Sequence, residues 1–206
     1  MKKIFVALTV FILAALVLII PGVAADTETK NGARICFVAD TYAVRGCASN
    51  SSYLDNIINA ASDKGYKIAV FFKTDGMKYD ADLMYALLKL NSAGFLYGIT
   101  ASGSEDVDAA VQTAWIYQKY ITKSVSRLVL ESRDEEIFGD EFAVCKYDVY
   151  TSDPVYIDSE QIFCQGDGVV AVEVTWQTTP AITRIFKRAS SGECDLITPT
   201  AVGFAR

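Results

Sequence analysis

Short apolar runs alternate with amphipathic stretches along most of this chain of 206 residues. The first run, Arg34–Ala39, is almost wholly apolar, which predicts a strand that is buried on both faces. Similar runs predict the remaining strands, over residues 67–72, 95–99, 127–131, 142–150, 169–175 and 195–198. The pattern therefore predicts about seven strands along the chain.

Helices are predicted between the strands, where apolar residues recur at helical spacing. Ser51 or Ser52 marks the start of the first helix, and Gly65 marks its end. The other helices are predicted at residues 80–92, 104–121, 159–164 and 180–191. Strands separated by helices imply a parallel sheet with crossover helices, and both a barrel and a doubly wound sheet satisfy this pattern.

The first 25 residues predict a secretory signal peptide. Lys2 and Lys3 precede a long apolar run, and the small residues at 23–25 suit cleavage before Asp26. The apolar run is close to the length that spans a bilayer, so an uncleaved N-terminal anchor is the alternative. Residues 26–33 are expected to form a short linker and residues 34–206 a single domain, which would be secreted or extracytoplasmic.

The chain is acidic, with a formal net charge of −6 at pH 7. Cleavage would remove Lys2 and Lys3 and make the mature protein more acidic still. Nucleic acid is therefore not an expected partner, because binding it requires a basic surface that releases counterions. The membrane is expected to be a partner only through an uncleaved N-terminal segment.

Five cysteines lie beyond the predicted signal, and outside the cell cysteines form disulfides by default. Cys36 and Cys47 are the first expected pair, whereas Cys145, Cys164 and Cys194 compete for a second bond. The spacing of the cysteines matches no zinc signature.

The chain contains no histidine. Histidine is the commonest metal ligand, and it alone has an unperturbed side-chain pKa near neutrality. Its absence excludes Ser-His-Asp and Cys-His catalysis, as well as zinc sites with histidine ligands. Neither a metal ion nor a cofactor is expected.

Three segments narrow the choice of fold. FVADTY at residues 37–42 closes the first strand, GFLYGITASGS at residues 94–104 covers the third strand and the loop after it, and GDGVVAVEV at residues 166–174 covers a late strand. In order and spacing they resemble the polysaccharide deacetylases, the NodB-type carbohydrate esterases. The resemblance implies an α/β fold, a distorted seven-stranded β/α barrel, over nearly the whole mature chain.

The functional residues of that family are mostly missing. The resemblance places the family's active-site positions at Ala39, Asp40, Thr100, Ser104, Glu173 and Val174. Ala39 stands for the catalytic base, Asp40 for a metal-binding aspartate, and Thr100 and Ser104 for two metal-binding histidines, while the last two positions stand near the late catalytic histidine. One aspartate and two neutral hydroxyls do not supply three protein ligands for zinc, and an alanine cannot accept a proton.

These substitutions predict a degenerate, catalytically inactive deacetylase-like protein. Its expected role is to bind envelope or extracellular glycan, or an envelope protein, through the old groove, where Trp176 and Arg133 are candidate contact residues. Besides a structural or assembly protein whose unpaired fifth cysteine makes an intermolecular bridge, two further alternatives stay open. One is a glycan hydrolase that uses carboxylates alone, with Asp40 and Glu173 as the pair. The other is a residual deacetylase with an unusual metal site.

Overall fold

Parallel strands build the centre of the protein. The computed structural model describes residues 33–73, 80–100, 128–136, 142–164 and 168–196. The strands are β1 (Arg34–Ala39), β2 (Ala69–Lys73), β3 (Leu96–Thr100), β4 (Leu128–Ser132), β5 (Ala143–Tyr147), β6 (Val149–Thr151), β7 (Val169–Glu173) and β8 (Asp195–Leu196). Their order across the sheet is β5-β4-β3-β2-β1-β7-β6, and every described pair is parallel.

A single bent strand closes the sheet. β5 pairs with β4 and β6 pairs with β7, and only Asp148 separates β5 from β6. The Asp148 N–H donates to the carbonyl oxygen of Val169 at 2.8 Å. Because one continuous segment pairs with both ends of the sheet, β1 to β7 form a nearly closed barrel. β8 pairs with residues 34 and 35 at the start of β1. β2 pairs with β1 further along the same edge, at residues 37–39.

Helices follow most of the strands. The structure describes α1 (Thr41–Val44), α2 (Tyr53–Asp63), α3 (Ala81–Ala93), α4 (Pro154–Asp158) and α5 (Thr179–Ser190), with 3-10 turns at Cys47–Ser49 and Glu160–Cys164. Ser52 and Asp55 start α2 with a reciprocal capping box, in which each side chain accepts the other residue's N–H. Asp80 caps α3, and Gly94 ends it in the left-handed conformation, with φ of +66°.

Alternation along the strands divides the apolar residues into two clusters. On β1, Ile35 and Phe37 belong to the outer cluster, which also contains Ile57 of α2 and Ile182 of α5. The inner cluster fills the barrel, and its members are Cys36, Val38, Ala69, Phe71, Leu128, Leu130, Cys145, Val169 and Ala171. Residues that continue the inward face therefore point to the barrel axis where each strand ends.

The observed elements differ from the predicted ones in several places. The strand predicted at 142–150 is interrupted at Asp148, because the chain bends there to pair with two different neighbours. The helix predicted at 159–164 is the 3-10 turn Glu160–Cys164, and the separate helix α4 before it, which Asp153 caps by accepting the Val155 N–H at 2.9 Å, was not predicted. The short helix α1 was not predicted, and the helix predicted at 104–121 lies outside the described residues.

The expected Cys36–Cys47 disulfide is wrong. Both residues carry free thiols, and they lie on opposite faces of the barrel wall, Cys36 in the inner cluster and Cys47 in the outer one. Cys145 and Cys194 are also free and buried. The side chain of Cys164 lies outside the described part of the chain.

The predicted signal peptide lies outside the described residues, as does the linker up to residue 32. Of the helices described between residues 33 and 196, none has the length and the apolar character needed to cross a bilayer.

Candidate functional site

The inward face of the barrel turns polar where the strands end. Next after the inner-cluster residues on this face come Lys73 on β2, Thr100 on β3, Ser132 on β4, Tyr147 on β5 and Glu173 on β7. Because the strands are parallel, these ends lie at one edge of the barrel, which we call the barrel mouth. Active sites of β/α barrels are built at this edge.

A salt bridge and a hydrogen bond fix Glu173 at the barrel mouth. Lys73 Nζ lies 2.7 Å from Glu173 Oε1, and the Tyr150 hydroxyl donates to Glu173 Oε2 at 2.8 Å. Lys73 Nζ also lies 5.4 Å from the centroid of the Tyr150 ring, within cation–π range. These three residues form the mouth network, in which both oxygens of Glu173 accept hydrogen bonds.

The mouth network keeps the Tyr150 phenol protonated. Burial raises the pKa of Tyr150, and the hydrogen bond to Glu173 and the charge of that carboxylate raise it further. The charges of Tyr147 and Asp40 act in the same direction. Tyr150 is therefore a hydrogen-bond donor to Glu173 at neutral pH.

Asp40 lies directly after β1, beside the mouth network. Its Oδ1 accepts the Ala43 N–H at 2.8 Å and thereby starts α1. The Asp40 side chain is half-buried, and its charge contributes to the raised pKa of Tyr150. Within the described residues, no lysine or arginine forms a salt bridge with Asp40.

The other predicted active-site positions that the structure describes are divided between the barrel mouth and the outer cluster. Ala39 and Val174 are fully buried in the outer cluster, so they face the helices. Of the two positions considered for the late histidine, Glu173 is thus the one at the mouth. Thr100 lies at the mouth, where its hydroxyl donates to the Leu130 carbonyl oxygen at 2.9 Å, and Ser104 lies outside the described residues.

The described side-chain oxygen atoms do not form a ligand set for the divalent metal ion that the family resemblance implies. One oxygen of Asp40 is used by the α1 cap, and the Thr100 hydroxyl acts as a donor. The Lys73 ammonium places a fixed positive charge at the same edge of the barrel. Across the part of the chain that the structure describes, no three His, Cys, Asp or Glu side chains are grouped as metal ligands would be.

The contacts of Arg133 assign it to barrel closure. Its Nε and Nη2 donate to the two carboxylate oxygens of Asp148, and Asp148 Oδ2 also accepts the Val169 N–H at 2.7 Å. The hydrogen bond from Arg133 lowers the pKa of Asp148. Asp148 thus links the end of β4 to the start of β7. Arg133, predicted as a groove residue, holds this link from the barrel surface.

Exposed aromatic side chains follow two adjacent strands at the barrel mouth. Trp176 comes three residues after the end of β7 and Tyr42 three residues after the end of β1, and each side chain is 66% exposed. β1 and β7 pair directly, so both residues follow the same edge of the barrel. The Arg45 guanidinium lies 4.8 Å from the centroid of the Tyr42 ring. Tyr42 and Trp176 form what we call the aromatic rim.

Lys73 and Tyr150 were not predicted as site residues. The signal for Lys73 was present, because the run AVFFK ends in the only charged residue of β2 and alternation places it on the inward face. Tyr150 could not be found in this way. Its position depends on the bend at Asp148, which moves the chain from β4 to β7.

The described geometry gives no support to a carboxylate-only hydrolase. That chemistry requires one carboxyl group to carry a proton for the leaving group. Both oxygens of Glu173 instead accept hydrogen bonds, and Asp40 Oδ1 accepts one from the backbone. Asp40 and Glu173 are both at the barrel mouth, yet neither is arranged as a proton donor.

Solved structures share this barrel. One is a mutant of BA3943, a CE4 family pseudoenzyme, with 14% identity over 84% of this chain and 67% of that one, at a TM-score of 0.61. The fold is that of a CE4 barrel. A BA3943 mutant described as having restored enzymatic activity gives 13% identity, coverage of 84% and 68%, and a TM-score of 0.59. CE4 is the polysaccharide deacetylase family, so the predicted fold is confirmed.

No family model matches the chain, and no curated protein matches it either. The likeness of this chain to the solved structures is therefore one of fold, at low sequence identity.

Proposed function

We propose that this protein is a secreted or extracytoplasmic glycan-binding protein that has kept the deacetylase barrel and lost the deacetylase reaction. The observation that carries the proposal is the composition of the barrel mouth. A Lys–Glu–Tyr network lies where the family holds a metal ion and its catalytic residues, and exposed aromatic rings follow the two adjacent strands.

Loss of the reaction is supported by the state of each described polar group. Amide hydrolysis of the family's type needs a metal-activated water and a residue that accepts its proton. Asp40 is used in the α1 cap, and Glu173 is held by Lys73 and Tyr150. Ala39 is buried against the helices. Asp40 keeps one carboxylate oxygen, but no three metal-ligand side chains are grouped among the described residues, so the metal-activated water of that reaction is not supplied.

Glycan binding is supported by the aromatic rim and by the hydrogen-bonding groups beneath it. Sugar rings stack on exposed aromatic faces, and their hydroxyl groups bond to fixed polar side chains. Trp176 offers such a face, and Lys73, Tyr150 and Glu173 are polar groups that are already held in place. Little side-chain entropy would then be lost when a ligand binds.

Calorimetric titration of the purified protein with a panel of soluble oligosaccharides tests the proposal. The panel should contain neutral, N-acetylated, acidic and amine-bearing chains. At least one class should bind, and Trp176→Ala should weaken that binding about tenfold or more. Tyr85→Ala is the matched control, because Tyr85 is an exposed aromatic residue on α3. It should bind as the unchanged protein does.

Four results would overturn parts of the proposal. Absence of binding to every class would remove the glycan-binding role, and equal binding by Trp176→Ala would remove Trp176 from the binding surface. Release of acetate from an N-acetylated oligomer, abolished by a chelator, would show that the reaction persists. Recovery of the protein in the cytosolic fraction with residues 1–25 still attached would contradict secretion.

A further inference from the structure

We propose that the barrel mouth selects glycans that carry free, positively charged amines over their N-acetylated counterparts. The inference rests on the proposed function, since it names the class of glycan that the same site takes. The charge on Asp40 and the groups that surround that charge support this selectivity.

Asp40 supplies the negative charge. Its carboxylate is half-buried, and its only described hydrogen bond is from the Ala43 N–H to Oδ1. No described lysine or arginine forms a salt bridge with it. A half-buried carboxylate with an oxygen available for a ligand favours a cation that also donates hydrogen bonds, and an ammonium group does both.

The cations near Asp40 are engaged elsewhere. Lys73 is neutralised by Glu173, which it contacts at 2.7 Å. Arg45 lies over the Tyr42 ring, and its charge helps to lower the pKa of Asp82, a residue of α3. With Lys73 and Glu173 cancelling each other, Asp40 leaves the described barrel mouth with a net negative charge.

Two aromatic residues belong to the strands on one side of β1, Tyr150 on β6 and Trp176 just after β7. Tyr150 lies close enough for the Asp40 charge to affect its pKa, and Trp176 is exposed at the end of the neighbouring strand. Aromatic faces attract cations through their quadrupole, and Trp is the strongest of them. A sugar that stacks on Trp176 and carries an ammonium group would thus use both kinds of contact.

Acetylation would remove the basis of this attraction. An N-acetyl group carries no charge, and its amide donates one hydrogen bond where an ammonium group donates three. Asp40 would then face a neutral group across a partly buried surface, with its charge uncompensated. The expected preference is therefore set by charge and does not require the acetyl group to clash.

The decisive experiment is a calorimetric titration with three ligands of equal length: a glucosamine pentamer, an N-acetylglucosamine pentamer and pentalysine. The glucosamine pentamer should bind at least about tenfold more tightly than its N-acetylated form, since a charge-assisted contact is worth about that factor. Pentalysine carries ammonium groups without sugar rings. Its binding therefore shows whether the site recognises any ammonium group or only a sugar that carries one. It should bind at least about tenfold more weakly than the glucosamine pentamer.

Asp40→Asn is the variant to compare. An asparagine oxygen still accepts the Ala43 N–H, so α1 keeps its cap while the charge is lost. The preference for the amine-bearing sugar should fall to about twofold or less. Asp63→Asn, at the exposed end of α2, is the control and should keep the full preference.

The outcomes separate this inference from the proposed function. If both sugars bind equally, the amine selectivity is wrong and glycan binding stands. If Asp40→Asn keeps the preference, the assignment of the selectivity to the Asp40 charge is wrong and glycan binding stands. If pentalysine binds as tightly as the glucosamine pentamer, the site recognises ammonium groups alone, and sugar selectivity is wrong. If no oligosaccharide of any class binds, both proposals fail.

Discussion

The Lys73 ammonium lies 2.7 Å from Glu173 although the whole of β1 stands between their strands. The two side chains meet above the inward face of β1, where the family resemblance expects a metal-binding aspartate. Asp40, which directly follows β1, is the residue at that position. This contact joins β2 to β7 at the barrel mouth, and we expect it to stabilise the fold as well as the site.

Replacing Lys73 should reveal that stabilisation. In Lys73→Met, Glu173 keeps Tyr150 as its partner and loses the cation, while its side chain is only 14% exposed. Breaking a partly buried ion pair from one side should lower the free energy of unfolding by about 1–3 kcal/mol. Denaturant unfolding measures the change, and Lys187→Met, an exposed lysine on α5, should leave it within about 0.5 kcal/mol.

The double variant Lys73→Met with Glu173→Gln tests whether the two residues act as a pair. If they do, the double variant should be less destabilised than the sum of the single variants by about 1 kcal/mol or more. Strict additivity would mean that the contact contributes little to folding.

Barrel closure should make stability depend on the ionisation of Asp148. Arg133 holds the pKa of Asp148 below its ordinary value of 3.8. A carboxyl group whose pKa is lower in the folded state stabilises the fold above its unfolded pKa, and this contribution disappears as the pH falls through the folded pKa. Asp148→Asn should thus cost about 1–2 kcal/mol at pH 6, and the difference should shrink below about pH 4.

Unfolding curves at several pH values measure this difference. Asp63→Asn serves as the control, because Asp63 is an exposed carboxylate that forms no salt bridge among the described residues, and it should differ little from the unchanged protein at any pH. A penalty for Asp148→Asn that stays constant between pH 6 and pH 3 would show that geometry, and not charge, holds the closure.

The sequence predicts the strands well because strand burial is a local property, whereas the barrel was predicted from the family resemblance. β1 and β7 are runs of apolar and β-branched residues bounded by Asp and Gly, so each element can be found without knowledge of its neighbours. The bend at Asp148 cannot be predicted in this way, because it is not a local property. It arises because two ends of the sheet must be joined, and nothing within residues 142–150 requires it.

The candidate site was less predictable for the same reason. Asp40 and Glu173 could be placed through the resemblance, whereas Tyr150 reaches Glu173 only after the chain has crossed from β4 to β7. The expected Cys36–Cys47 bond does not form, although the two residues are close in sequence, because they are not close in space. The wall of the barrel lies between the two side chains.

β3 and β4 approach each other so closely at Gly98 that a side chain should not fit. A Cβ atom at this position would lie 2.3 Å from the Leu128 carbonyl oxygen and 3.1 Å from Phe71 Cδ1. Gly98→Ala should therefore cost about 2–3 kcal/mol in unfolding free energy through overpacking. Gly65→Asn is the comparison, since Gly65 has open space around it and asparagine tolerates its positive φ, and its cost should stay below about 1 kcal/mol. Equal stability of the two variants would contradict the close approach.

The buried thiols should be unreactive as long as the barrel is folded. Burial raises the pKa of Cys47 to about 11, of Cys145 to about 11 and of Cys194 to about 12, and it raises that of Cys36 well above the ordinary range. The reactive thiolate is therefore scarce at pH 8, and the reagent cannot reach it. The Cys164→Ser variant makes the test clean, because only the four described cysteines remain.

In that variant, a thiol-specific chromogenic reagent should label almost nothing in native buffer and four thiols in concentrated urea. The native labelling rate should follow the unfolding rate, since each buried thiol becomes accessible only when the barrel opens. Rapid labelling of a thiol in the folded protein would contradict the burial of that residue. Fewer than four thiols in urea would mean that two of these cysteines form a disulfide.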